Sequence, residues 1–305
     1  MCCFAGPVLS VNNTRIFARL LEHSSPQGLT SQLIAYQMTY KSEQPNAMIL
    51  PIPAKHGADE TSIQFIDLSG YERFFSDLRK GFPRLSPPPR TAIDSRVAVG
   101  SPRLEVQRVG KFIASFVPKA EDFARLDPQF SIPKETWAKI PEYDDYSFAV
   151  FRLVDLEGEP HPMAFEFETR FPDTIFFPTV HIHDGEVHST EHFAHELYCQ
   201  HEEYDKLVST KYSEKAESQT NLVRSVGPAS EFVDVAKTQG MVDGRLLMHR
   251  LRMHGSLPNQ DVLLSAKGAA GKVGLLRSRW LGPALTLLPL AWIVKRRNEL
   301  RQKRQ

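Results

Sequence analysis

The sequence is poor in cysteine. Three thiols in 305 residues, Cys2, Cys3 and Cys199, are too few for a disulfide framework, and adjacent cysteines such as Cys2 and Cys3 rarely bridge one another. The opening Met-Cys-Cys-Phe-Ala-Gly-Pro has neither a basic stretch nor an apolar core of the kind a secretory signal needs, so cytoplasmic residence is expected. No fixed-period repeat and no low-complexity tract is present, which excludes solenoids and wholesale disorder. Net charge is also nearly absent, at +1. What basic excess there is sits in residues 295–305, which hold six Lys or Arg and one acid, leaving a body of 31 basic and 35 acidic residues. That distribution argues against a nucleic-acid-binding body and for a local electrostatic contact at the tail.

What is present reads as an α+β protein, with a β-rich body over 1–268, a more helical C-terminal third, and an apolar and basic tail over 269–305. Thr14–Leu20, Gln32–Tyr40, Ala47–Leu50 and Ile63–Asp67 are short apolar or alternating runs between turn formers, and each predicts a strand. Tyr71, Phe74, Phe75 and Leu78 change to helical spacing. Residues 83–103 carry Pro83, Pro87, Pro88, Pro89 and Pro102 and read as a surface crossing able to dock an aromatic-lined partner. Strands resume over 104–109, 111–117, 146–156, 163–169 and 174–183, and helical patterns over 202–207, 232–237 and 244–253.

The densest chemistry lies in His181-Ile182-His183-Asp184-Gly185-Glu186-Val187-His188. Asp-Gly between alternating runs predicts a two-residue hairpin turn. The turn would pair His183 with Glu186 and His181 with His188, and cross-strand partners share a face. Three imidazoles and a carboxylate on one face suit a divalent metal, zinc first, held by His181, His183 and His188, with His192 or His195 completing or orienting the shell. Metal-bound water would be acidified to a pKa of about 7 and Glu186 would serve as fourth ligand or as general base, the chemistry of a zinc-dependent hydrolase. His188-Ser189-Thr190-Glu191-His192 also fits the inverted zincin pattern H-x-x-E-H, but that pattern needs a helix where the hairpin needs a strand. From Thr190 to His201 the periodicity admits both.

A second chemistry starts at the amino end. Removal of Met1 would give Cys2 both a thiol and a free α-amine able to serve as its base. Cys2, the strand around Arg15–Leu20, Arg19 and Glu22 resemble the opening of the cysteine-type N-terminal nucleophile hydrolases, with Glu22 where those have Asp. The resemblance implies an amidohydrolase. Cys3-Phe4, Pro7-Val8, Thr14–Ala18, Ala47–Pro53 and Phe74-Phe75 are similar to an uncharacterised bacterial family known only as a domain of unknown function. That resemblance implies no activity. Its members usually carry a secretion signal, which is not seen here.

The tail run Trp280–Val294 is uncharged. Fifteen helical residues span only about 22 Å, short of a hydrocarbon core of about 30 Å. With Trp280 and Trp292 at its ends and Lys295-Arg296-Arg297 beyond, residues 273–305 are expected to lie on an anionic membrane surface. A membrane-associated interaction or structural protein without chemistry is the third reading.

Overall fold

The computed structural model describes residues 3–22, 28–83, 107–110, 112–127, 130–209, 221–265 and 275–277. In chain order the strands are β1 (Cys3–Phe4), β2 (Ser10–Leu21), β3 (Ser31–Lys41), β4 (Asn46–Ile52), β5 (Ile63–Asp67), β6 (Gln107–Val109), β7 (Phe112–Val117), β8 (Ser147–Leu153), β9 (Glu157–Gly158), β10 (Met163–Glu168), β11 (Thr174–Phe177), β12 (Thr190–Gln200), β13 (Leu222–Pro228), β14 (Leu247–Pro258), β15 (Val262–Ser265) and β16 (Leu275–Arg277). Among the described residues three α-helices interrupt them: α1 (Phe74–Lys80), α2 (Lys134–Trp137) and α3 (Glu202–Leu207).

An eight-stranded sheet is the frame, ordered β13-β14-β12-β2-β3-β10-β5, with β9 added to β3. A five-stranded sheet, β1-β4-β8-β7-β6, packs on one side, and β11-β15-β16 forms a third sheet. The pairing of β12 with β2 is parallel, so its two strands come from distant parts of the chain, as a parallel ladder requires. Both faces of the central strands are covered. Ile16, Ala18, Ile34 and Tyr36 join the large core with Met48, Leu50, Phe151 and Phe165, while Phe17 and Ala35 face a smaller core of Phe74, Phe75, Leu78, Tyr198 and Met248. Two-sided burial explains why Leu33, Ile34, Ala35 and Tyr36 form an unbroken apolar run rather than an alternation.

Several expectations fail for local reasons. The strand expected over 174–183 ends at Phe177, where Pro178 removes a ladder donor. Beyond α3 the C-terminal third is mostly strand among its described residues, not helix: Leu247–Pro258 is a twelve-residue strand, and Val235–Thr238 is a single 3-10 turn. The helical reading of 244–253 was misled by charge, because Arg250 is buried on the smaller-core face. From Thr190 onward the strand alternative holds, with Phe193, His195, Leu197 and Cys199 buried on one face. No helix among the described residues is long and apolar enough to cross a membrane. The lipid-facing segment expected over residues 273–305 lies outside the described residues except for the short β16.

Candidate functional site: a clamped polar loop beside a buried imidazole cluster

Between β11 and β12 the chain runs from Thr179 to Ser189 without forming a hairpin. Gly185 takes a positive φ of 84°, but Asp184 does not, so the two-residue turn that needs both is not made. The Asp184 side chain closes the reversal instead. Its carboxylate accepts the Glu186 N–H at 3.0 Å, and its second oxygen lies 3.0 Å from His188 Nε2. This is a side-chain turn of the kind Asp favours, and it substitutes for the ladder. Ile182 pairs outward with the amino-terminal strand: it bridges Cys3 in parallel, and its carbonyl accepts the Phe4 N–H at 3.1 Å.

The loop's conformation is set from the β14–β15 turn. The buried Asn259 amide ties both ends together: its oxygen accepts the His181 N–H at 2.7 Å, and its nitrogen donates to the His181 and His188 carbonyls at 3.0 Å each. Asp261 holds the root, accepting Thr179 N–H at 2.7 Å, Val180 N–H at 3.2 Å and the Tyr143 hydroxyl at 2.6 Å. Burial pushes the Asp261 carboxyl up to about 6, against these hydrogen bonds, which pull it down. At the tip, the Thr136 hydroxyl donates to the Gly185 carbonyl at 3.0 Å, and Lys139 pairs with Glu186.

The predicted site residues are thereby separated. His181 is fully buried, its ring stacked 5.1 Å from His183 at 20°, 4.3 Å from Phe193 and 5.2 Å from His195. Neither of its ring nitrogens has a hydrogen-bond partner among the described residues. Burial, together with the neighbouring His195, His183 and His192 imidazoles, pushes its pKa far down, so the 3.9 Å approach of Nδ1 to Glu191 is a contact with a neutral ring and not an ion pair. Burial also takes His183 down to about 4 and His195 well below the usual histidine range. His188 is exposed at the loop rim with Asp184. His192 projects from the opposite face of β12, its ring 6.0 Å from that of His254. Glu186 is held at the exposed tip by Lys139.

These placements correct the zinc-hydrolase reading. Stacked rings do not converge on a common point. Among the described residues, no group of three His, Cys, Asp or Glu side chains is placed to hold a metal ion. The H-x-x-E-H pattern fails too, since His188 is in a loop and His192 on a strand. Of the second chemistry, Cys2 lies outside the described residues. Cys3 is buried with its Sγ 3.9 Å from the Val180 carbonyl, Arg19 is directed to Asp243, and Glu22 lies 3.7 Å from His201.

What remains at the surface is an open depression of about 510 Å³ lined by His183, Asp184, His188, Ser189, Thr190 and Glu191, without an apolar wall. Sequence reasoning missed the residues that shape it, Asn259 and Asp261. The signal was there as Pro258-Asn259-Gln260-Asp261, a polar turn cluster between Leu257 and Val262 whose side chains can serve backbone groups.

No family model matches the chain. Among solved structures it is similar to baculovirus P35, at TM-score 0.44 and 14% identity over 87% of this chain and 99% of that one. It is also similar to the chain in the caspase-8/P35 complex, at TM-score 0.38 and 12% identity over 84% and 97%. A mutated P35 after caspase cleavage gives TM-score 0.36 and 13% identity over 84% and 98%. TM-scores below 0.5 do not by themselves establish a common fold.

Proposed function

We propose that this chain is a protein-binding module that presents residues 183–191 as a preformed recognition loop. The observation that carries the reading is the Asn259 clamp, a buried side chain whose amide serves the two ends of an exposed polar loop and nothing else. Burying polar groups is costly unless they are satisfied, and loops need no such support merely to connect strands. A loop fixed in advance loses little entropy when a partner arrives, which raises affinity. The polar, open lining suits a hydrated protein contact better than a small molecule, whose sites are enclosed and mostly apolar.

The test places a photo-crosslinking amino acid at position 186, at the loop tip, and as a control at position 237, in an exposed stretch following β13. A protein adduct formed from 186 and not from 237, and lost on combining Asp184→Ala with His188→Ala, supports the reading. The same adducts from both positions overturn it. Immobilised caspase-8 forms one defined arm of the assay, in which loop-dependent binding would name the partner.

A further inference from the structure

A second surface lies on the opposite face of β12. Residues alternate along a strand, so Glu196 points away from the His195 side, and its register neighbours Arg15 on β2 and Arg252 on β14 share its face. Glu196 is the hub of a charge cluster. Its Oε2 lies 3.2 Å from Arg79 Nη2, at the end of α1, and accepts the Tyr198 hydroxyl at 2.8 Å, while Oε1 lies 3.4 Å from Arg252 Nε. Against burial, which pushes its pKa up, the arginines hold the Glu196 carboxyl below the usual range. Two residues along from Arg252, Arg250 is buried with its guanidinium 4.3 Å over the Phe82 ring, and its Nε and Nη1 have no hydrogen-bond partner among the described residues. Arg15 is already matched, by Glu159.

Three guanidinium groups thus surround one carboxylate, in a body whose overall charge is acidic. A carboxylate has about four acceptor sites and each guanidinium five donors, so the cluster is short of acceptors. The side chains of Arg79 and Arg252 are 46% and 51% exposed. They are oriented by Glu196, and the buried charge of Arg250 behind them, which shares that one carboxylate and the Tyr198 side chain, adds to the positive field they present. Beyond them the sheet face carries His192, Ala194, His254 and Ser256, all exposed, with no helix over them among the described residues. Lone arginines on a surface are usually solvated and idle, but an aligned pair backed by a buried, partly unsatisfied third is a prepared acceptor of negative charge.

We propose that this face binds an acidic segment of a partner protein, its carboxylates engaging the free donors of Arg79 and Arg252. The occupant comes from outside the chain: residues 84–106, 210–220, 266–274 and 281–305 carry at least as many Lys and Arg as Asp and Glu, so none complements a positive patch. A segment running along an open sheet face presents several carboxylates in series, whereas a single small anion would meet the Glu196 carboxylate at short range.

The test is fluorescence anisotropy with a labelled ten-residue oligo-glutamate peptide on the full chain, with a Gly-Ser peptide of equal length and inorganic phosphate as separate arms. The wild type is expected to bind oligo-glutamate saturably, more weakly as salt rises, and to ignore the neutral peptide. Arg79→Gln with Arg252→Gln should lower affinity about tenfold or more, as expected for loss of two charge-assisted contacts. Arg245→Gln, a control at an exposed arginine bonded to Asp243, should leave it unchanged. If the double variant fails to fold, Arg252→Gln alone takes its place, with a loss of about threefold expected. Absent wild-type binding, binding undiminished in a folded variant, or displacement by millimolar phosphate, which would mark a small-anion site, each overturns the proposal.

Discussion

Replacing Asn259 by alanine isolates the clamp. The substitution removes one acceptor oxygen and two amide N–H donors, and leaves the His181 N–H and the His181 and His188 carbonyls without these partners. An unsatisfied buried backbone group costs about 1–3 kcal/mol, and some of that is recovered where water reaches the His188 end at the rim. Taking about 1 kcal/mol for each of the three groups gives a destabilisation of about 3 kcal/mol. The loop cannot escape this by peeling away alone, because His181 is seated against Phe193 and His195 and would carry its ring out of the core. Urea unfolding followed by intrinsic fluorescence should therefore show a lower midpoint with an unchanged slope. Hydrogen exchange should show the His181 amide losing about two orders of magnitude of protection, the kinetic equivalent of about 3 kcal/mol. Asn259→Asp keeps the acceptor and sets a carboxylate against two carbonyls, so it should be at least as damaging at neutral pH. An Asn259→Ala midpoint within error of wild type, with His181 protection intact, would refute the clamp and with it the argument for a preformed loop.

Asp261 and His183 should titrate stability in opposite directions. Asp261 is raised from its ordinary 3.8 to about 6, so folding favours its protonated form and its contribution is lost as pH rises from about 4 to about 6. By the linkage relation this is about 3 kcal/mol, and Asp261→Asn should gain that much relative to wild type between pH 4 and pH 7 in urea titrations, parallel pH profiles being the refuting result. His183 is lowered from 6.5 to about 4, so its contribution is present above pH 6.5 and lost as pH falls towards 4. His183→Gln should flatten acid destabilisation in that window, and an unchanged profile would count against burial of the neutral ring. Asp184→Ala should cost under about 1 kcal/mol, because the group is exposed, while abolishing the loop-dependent crosslink; a loss of several kcal/mol would mean that Asp184 is structural. Phe74→Ala, in the smaller core against Phe17 and Phe75, should cost about 3–5 kcal/mol in the same assay, and a loss under about 1 kcal/mol would show that this core does not carry the sheet's second face.

The sheet was legible where a strand's burial follows from its own neighbours in sequence. Tyr71, Phe74, Phe75 and Leu78 are all buried where helical spacing put their apolar stripe, and Ile63–Asp67 and Glu202–Leu207 fall at their expected bounds. Legibility stops where a distant residue decides. Arg250 looks solvent-facing in sequence and is inside because Phe82, far earlier in the chain, provides the ring that covers it. The histidine cluster is the sharper case. A ladder would put His181, His183 and His188 on one face, but a ladder needs both Asp184 and Gly185 at positive φ, and Asp184 has a competing use for its carboxylate two residues on. Once the side chain closes the turn, Ile182 is free to pair with Cys3 and Asn259 can take the loop ends. His181 goes inward, His188 stays at the rim and His192 starts on the far face of a new strand. The local Asp184 contact and the distant Asn259 contact therefore act together: either alone leaves the hairpin competitive, and the double variant Asp184→Ala with Asn259→Ala should lose more loop protection than the two single losses added, a coupling that a double-mutant cycle on His181 exchange measures.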